Sequence, residues 1–336
     1  MIKGKQSLAF EQTPYLTCAA SVAGKKEGEG PLGALFDYVE KEDLFGENSW
    51  EAAEGAMQKM ACSLVLQKAH LESEDVRYLF GGDLLRQGTA TSQGVEELGI
   101  PMFGLYGACS TAGEALALAS MSVAAGYGET MMAVTSSHFG SAEKEFRFPL
   151  GYANQRPLSA HWTVTGSGAF LVGRAKSHVR ISGVTVGKIV DYGLKDSQNM
   201  GACMAPAACD TIISNLQDFG RAPEDYSRII TGDLGYIGQS ILFDLMRGKG
   251  YDIKKNHMDC GMQIFDEESQ DTHAGGSGCA CSALMLSAVI LPKLASGEWK
   301  RVLFVPTGAL LSQVSANEGR TIPAIAHAVW LESGKE

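Results

Sequence analysis

The feature that most constrains this chain is that it repeats itself. Residues 61–83 run from a helical pattern through a Glu74-Asp75 turn into Val76-Arg77-Tyr78-Leu79-Phe80 and stop at Gly81-Gly82-Asp83. Residues 211–233 do the same, 150 positions later, through Glu224-Asp225 into Ser227-Arg228-Ile229-Ile230 and Thr231-Gly232-Asp233. Further on the offset is 171. An Ala-rich stretch opening at Cys109 ends near Gly126, before a strand at 130–134 and the turn Thr135-Ser136-Ser137-His138; its counterpart opens at Ala280 and ends at Gly297, before a strand at 301–305 and Pro306-Thr307-Gly308-Ala309. The change of offset predicts a 21-residue insertion between Asp233 and Cys279. A period this long means a duplicated domain, since stacked-repeat proteins have periods of about 20–50 residues.

With 336 residues, 45% of them hydrophobic, the chain can bury a large core, and its length suggests about two domains. The division is expected near Lys176: 1–176, carrying Cys109, and 177–336. Short apolar runs ending in Gly or Asp, each followed by a longer helical pattern, predict α/β units with largely parallel strands. Ser7-Leu8-Ala9-Phe10 and the run 179–186 read as the first strands of the two halves. The net charge of −10 and the lack of a Lys/Arg stripe argue against a nucleic-acid partner. The first residues, Met1-Ile2-Lys3-Gly4-Lys5-Gln6, lack an apolar signal-peptide core. The uncharged run 115–125 falls short of the roughly 18 residues a membrane span needs, so it reads as a buried helix. The eight cysteines (18, 62, 109, 203, 209, 260, 279 and 281) are scattered, which predicts free thiols in a reducing cytoplasm.

Chemistry centres first on Cys109. A sulfur at a helix N-terminus is favoured as a thiolate, yet a buried cysteine is also a common small hydrophobe, and both readings stand. Ser136, Ser137 and His138 end a strand, and parallel sheets bind ligands beyond the carboxyl ends of their strands. Capping is the alternative for the two serines; the added imidazole tips the reading toward ligand contact. Asp83 and Asp233 end equivalent strands, as helix caps or pocket carboxylates, with capping favoured for Asp233. His273 precedes Ala274-Gly275-Gly276-Ser277-Gly278, whose amides suit an anion, although neither the Walker nor the dinucleotide pattern is present. Cys279 and Cys281 are spaced too closely for a zinc pair, so no metal and no cofactor is expected. His70, His161, His178 and His257 read as surface or loop residues. The irregular stretch 138–163, with Phe146, Phe148, Tyr152 and Trp162, is long enough to be an ordered cover over a site.

A duplicated α/β chain with a cysteine at the head of a buried helix resembles the thiolase superfamily, in layout the ketoacyl-ACP synthase III type, which implies a five-layer αβαβα fold. Gly107-Ala108-Cys109-Ser110 looks like the nucleophile turn, Thr165-Gly166-Ser167-Gly168-Ala169 like the family's Gly-Asp-Gly-Ala strand, and Gly308-Ala309 like its final glycine turn. The partners of the nucleophile are missing. Where a His is expected the chain reads Thr231-Gly232-Asp233, and where an Asn is expected it reads Gly276-Ser277-Gly278, leaving His273 as an imperfect substitute. The runs Glu145-Phe146-Arg147-Phe148-Pro149, Met204-Ala205-Pro206-Ala207-Ala208, 274–282 and 307–312 are similar to a non-catalytic branch, the stage V sporulation protein AD family.

That resemblance implies a homodimer that binds dipicolinic acid, alone or with calcium, for uptake into the developing spore. It implies residence in the cytoplasm of sporulating cells, with the spore inner membrane reached through other stage V sporulation proteins. Cys109, Ser136, Ser137, His138, Asp83 and Arg147 would line the ligand pocket, with Cys109 vestigial. Acyl transfer through Cys109 and a scaffolding role in a membrane complex are the alternatives.

Overall fold

The computed structural model describes residues 1–146 and 155–334. Ten strands form its body, in two runs of five with the same order. Strands β1 (Tyr15–Ala23), β2 (Leu79–Gly82), β3 (Met102–Gly104), β4 (Thr130–Ser137) and β5 (Gly166–Gly173) stand side by side as β1-β5-β4-β2-β3. Strands β6 (Val179–Thr185), β7 (Arg228–Thr231), β8 (His257–Asp259), β9 (Arg301–Val305) and β10 (Ala328–Ser333) repeat this as β6-β10-β9-β7-β8. In both runs the three strands farthest from the join are parallel and the fifth is antiparallel to both its neighbours. A short antiparallel pairing of Val179 with Leu16 and Arg180 with Tyr15 joins the two runs.

The helices complete five layers. Helices α1 (Trp50–Ala69) and α2 (Thr89–Val95) cover the outer face of the first run, where Met57, Ala61 and Val65 pack on Ala20, Val134 and Leu171. Between the runs lie α3 (Thr111–Ala124) and, after α4 (Phe139–Phe146), the later helix α7; the outer face of the second run carries α5 (Met200–Phe219) and α6 (Gly235–Gly248). Helix α7 (Cys279–Met285) passes through a π-helical turn into α8 (Leu291–Ser296). Every residue of α7 is buried, as a helix between two sheets requires, since it has no solvent face. The span Cys279–Ser296 is apolar and long enough to cross a membrane, but most of it is buried inside the protein.

Several expectations need correction. Ser7–Ala9 does not begin the first half: it pairs with β6 of the second, while β1 is the first half's opening strand. The polar group Thr135-Ser136-Ser137 is not a turn, because β4 runs through it. Cys109 precedes its helix rather than opening it. The insertion falls mainly after β8, where the segment 260–278 replaces the short link between β3 and α3. The core strand at 179 and the strand ends at Asp83 and Asp233 are where the sequence placed them.

The duplication extends to glycines that let helices touch. A Cβ on Gly94 of α2 would lie 2.5 Å from the Gly55 carbonyl oxygen of α1, and one on Gly238 of α6 would lie 2.7 Å from the Gly201 carbonyl oxygen of α5. Gly238→Val should therefore destabilise the protein by about 1–3 kcal/mol, because backbone cannot yield as a side chain would. Gly248→Ala, with open space around its Cβ, should not destabilise it, and urea unfolding of the two variants checks the contrast.

Candidate functional site

Cys109 sits in a tight turn. Ala108 adopts a left-handed φ of 50°, uncommon for a residue with a side chain, and such strain persists only where the surroundings enforce it. Three hydrogen bonds do so. The Ser110 hydroxyl donates to the Gly107 carbonyl (2.6 Å), the Thr111 hydroxyl to that of Ala108 (2.6 Å), and the Gly107 amide to Thr111 Oγ1 (3.0 Å). The second half presses on the same turn: a Cβ at Gly308 would lie 2.2 Å from the Gly107 oxygen, and the Cys279 thiol donates to the Ala108 carbonyl (3.1 Å). The cavity at the sulfur, lined by residues such as Phe146, Met200 and Ala309, has a volume of about 30 Å³. That holds about one water molecule.

The decisive neighbour is Asp233, which was expected to cap a helix. It does not. Asp259 instead accepts the amides of Leu234 (2.9 Å) and Gly235 (3.0 Å), leaving the fully buried Asp233 carboxylate to accept the Thr307 hydroxyl (2.7 Å), the Gly278 amide (3.0 Å) and the Cys109 thiol. The glycine-rich loop thus does cradle an anion, and the anion is the protein's own. Burial pushes Asp233 up to about 7. Burial, then the adjacent Asp233, push the Cys109 thiol well above the ordinary cysteine value. A helix N-terminus favours a thiolate by about 0.3–2 kcal/mol. Burial and the adjacent Asp233 oppose it more strongly, since the thiol is raised on balance. Cys109 is therefore held as a neutral thiol.

Ser136, Ser137, His138 and Asp83 do not line the Cys109 cavity. Ser136 turns to the opposite face, donating to Glu54 (3.0 Å) and accepting from Gln58 (3.3 Å), which also reaches Thr91 (3.2 Å). Thr91 donates from amide (2.7 Å) and hydroxyl (2.6 Å) to Asp83, whose other oxygen takes the Leu85 amide (2.7 Å). Two buried carboxylates therefore share one network, and desolvation, reinforced by Asp83, raises Glu54. Ser137 accepts the Ala280 amide (3.1 Å) and so caps α7 from the other half of the chain.

His138 belongs to a neighbouring cavity of about 410 Å³, walled by Trp50, Phe139 and Trp162, with Lys25, Lys26 and Glu27 on its lining. Its Nδ1 accepts the Gly140 amide (3.0 Å), so Nε2 carries the hydrogen and donates to the Asp43 carbonyl (2.7 Å). Glu143 lines both this cavity and the one at Cys109. Phe139 stacks on Trp162 with ring centres 3.9 Å apart. Arg147, Phe148, Pro149 and Tyr152 lie outside the described residues.

The histidines differ from expectation. His273 does not substitute beside Cys109, because it faces Asp271 (3.0 Å) and the Pro157 carbonyl (2.9 Å). His161 lies in a loop, as expected, yet is buried against the Leu234 carbonyl (3.2 Å), and His257 stands half-buried in β8, bridging Thr231 and Gln239, its basicity lowered to about 3 by burial. Among the described residues no group of three or more His, Cys, Asp and Glu side chains is placed to hold a metal ion. Asp233 was weighed as a cap or a pocket carboxylate, and the structure makes it the pocket carboxylate; Glu54 was not singled out by the sequence reading.

The sequence model of the Stage V sporulation protein AD family matches residues 4–332. The chain belongs to that family. It is 42% identical over 331 residues to the Stage V sporulation protein AD of Bacillus subtilis, covering 98% of each chain. Its fold is thiolase-like. It is similar to the 3-oxoacyl-[acyl-carrier-protein] synthase III of Aquifex aeolicus (14% identity, 95% of this chain and 99% of that one, TM-score 0.57) and to the cerulenin-bound OleA of Xanthomonas campestris (15%, 96% and 98%, TM-score 0.56).

Two consequences can be measured. Among the cysteines only Cys18 is less than buried, so brief treatment with iodoacetamide at neutral pH should label Cys18 first and leave Cys109 intact; Asp233→Asn should raise the Cys109 rate, as read by peptide mass mapping. Glu54 is raised in the folded state, which therefore binds more protons than the unfolded chain above the ordinary carboxylate range, so stability should fall as pH rises from about 5 to about 8.5. Glu54→Gln should flatten that dependence, with urea midpoints at the two pH values as the readout.

Proposed function

We propose that this chain keeps the condensing-enzyme architecture without running acyl transfer, and that it binds dipicolinic acid, free or with calcium, for uptake into the developing spore. The observation that carries this reading is the Asp233 carboxylate on the Cys109 thiol. A condensing nucleophile needs a base and a thiolate, and an acid in the base's place holds the sulfur protonated. A cavity of about 30 Å³ at the sulfur also leaves no room for an acyl chain.

The ligand's place in this reading is the cavity beside His138. Its volume of about 410 Å³ lies within the usual small-molecule range of about 300–1,000 Å³, and it adjoins the Cys109 cavity at Glu143. Trp50, Phe139 and Trp162 suit a flat ring, while Lys25 and Lys26 suit carboxylates.

The protein acts in this reading as a homodimer. The edge strand β3 has a free side, and the side chains of Phe103, Met102 and Tyr106 are 54%, 38% and 46% exposed. An unpaired apolar edge invites a second strand. Other stage V sporulation proteins would bring the dimer to the spore inner membrane.

Calorimetric titration of dipicolinate, with and without calcium, into wild type and Lys26→Ala should show saturable binding weakened at least severalfold by the substitution. No binding under either condition would defeat the proposal. The acyl-transfer reading predicts instead a stable acyl adduct from acyl-CoA that disappears in Cys109→Ala, and mass spectrometry of the intact protein distinguishes the two.

A further inference from the structure

The cavity proposed for the ligand carries more acid than base. Glu27, Glu40, Glu42, Asp43 and Glu143 line it against Lys25 and Lys26. The Lys26 ammonium is partly engaged: it donates to the Gln270 carbonyl (2.6 Å) and lies 4.2 Å from the Trp162 ring centre, with the Arg156 guanidinium 4.7 Å from the same ring. A dianion entering here meets like charge.

The carboxylates differ in what they can do about it. Glu40 is half-buried and accepts the amides of Lys41 and Glu42 and the Tyr38 hydroxyl, which stabilise its charge; Glu42 and Asp43 are exposed. His138 has both ring nitrogens engaged by backbone. Glu27 and Glu143 are the buried acids of the wall. Glu27 Oε1 accepts the Thr165 amide (2.9 Å), and its Oε2 has no hydrogen-bond partner among the described residues. A buried carboxylate half-satisfied by hydrogen bonds gives up its charge readily. Lys26 and Asp43 are the charged neighbours acting on it, in opposite senses, and burial outweighs both, leaving Glu27 at about 7.

Resting on the ligand reading above, we propose that occupation of this cavity by a dicarboxylate is coupled to protonation of Glu27, so that each dianion is taken up with one proton held on the Glu27 carboxyl. The neutral acid removes the nearest buried negative charge from the ligand's surroundings. Uptake would then be favoured at lower pH and release at higher pH, through a group that need not touch the ligand.

Calorimetry with dipicolinate in buffers of different ionisation enthalpy, from about pH 5.5 to about 8.5, counts the protons directly; the ligand's own carboxyls, with ordinary pKa values, stay ionised across that range. Wild type should take up about one proton per ligand at the upper end, with affinity weakening about tenfold per pH unit above Glu27's midpoint. Glu27→Gln should bind without proton uptake and without that pH dependence, whereas Glu143→Gln, the other buried acid of the wall, should keep both. Glu27→Asp is the second test, expected to move the midpoint without abolishing the coupling. Proton uptake persisting in Glu27→Gln, lost in Glu143→Gln, absent from wild type that binds, or an unmoved midpoint in Glu27→Asp would overturn the Glu27 assignment and leave the ligand reading intact. Failure of wild type to bind dipicolinate at any pH would remove both.

Discussion

The organisation of this protein depends on two apolar helices packed between two sheets, with their N-termini converging on one point. Helices α3 and α7 have no solvent face, so the orphan amides at their ends must be satisfied from within the protein. For α7 the partners come from elsewhere in the fold: Ser137 of β4 takes the Ala280 amide, and Asp233 after β7 takes the Gly278 amide. The same Asp233 reaches Cys109 and Thr307. A single buried carboxylate thus ties the turn of the first half to two segments of the second, which explains why the halves meet without a linker and why the Cys109 turn is so closely packed.

Placing an acid at this junction has a chemical consequence as well as a structural one. In condensing enzymes the group at the end of the equivalent strand serves a thiolate; here the junction needs an acceptor for Thr307, Gly278 and a protonated sulfur, and all three donate. An imidazole could not accept all three at once, because it offers at most one acceptor nitrogen. The hydrogen-bond pattern that makes the join stable is therefore incompatible with the pattern that would make the cysteine reactive. The second acidic network, Glu54 with Asp83, follows the same logic on the outer face, where Ser136 and Gln58 serve buried carboxylates.

The fold was largely legible in the sequence because duplication left two copies to compare. Strand ends at Asp83 and Asp233 repeat, as do the strands at 130–134 and 301–305. What escaped was long-range. Ser7–Ala9 alternates like any opening strand, and only tertiary pairing shows that it belongs to β6. Ser136 and Ser137 end a strand as ligand-binding residues do, yet successive side chains of a strand point to opposite faces, so the two could not share one crevice. Asp233 and Asp259 compete for the same cap, and the winner is set by the end of β8, a three-residue strand with no simple signature.

The contrast between the two cavities narrows what this architecture can do. Acyl transfer requires the substrate to reach the sulfur, and the space there is about 30 Å³, lined by Phe146, Met200 and Ala309, with the glycine turn pressed on Gly107. The larger cavity stops at Glu143, with aromatic walls and a mixed lysine and carboxylate lining. Opening a path to Cys109 would mean moving Glu143 and Phe146 off α4, and it would expose the Asp233 cluster to water at the cost of the hydrogen bonds that join the halves. A ligand that ends at Glu143 asks for no such rearrangement. The packing that binds the two halves together thus separates the cavity beside His138 from Cys109.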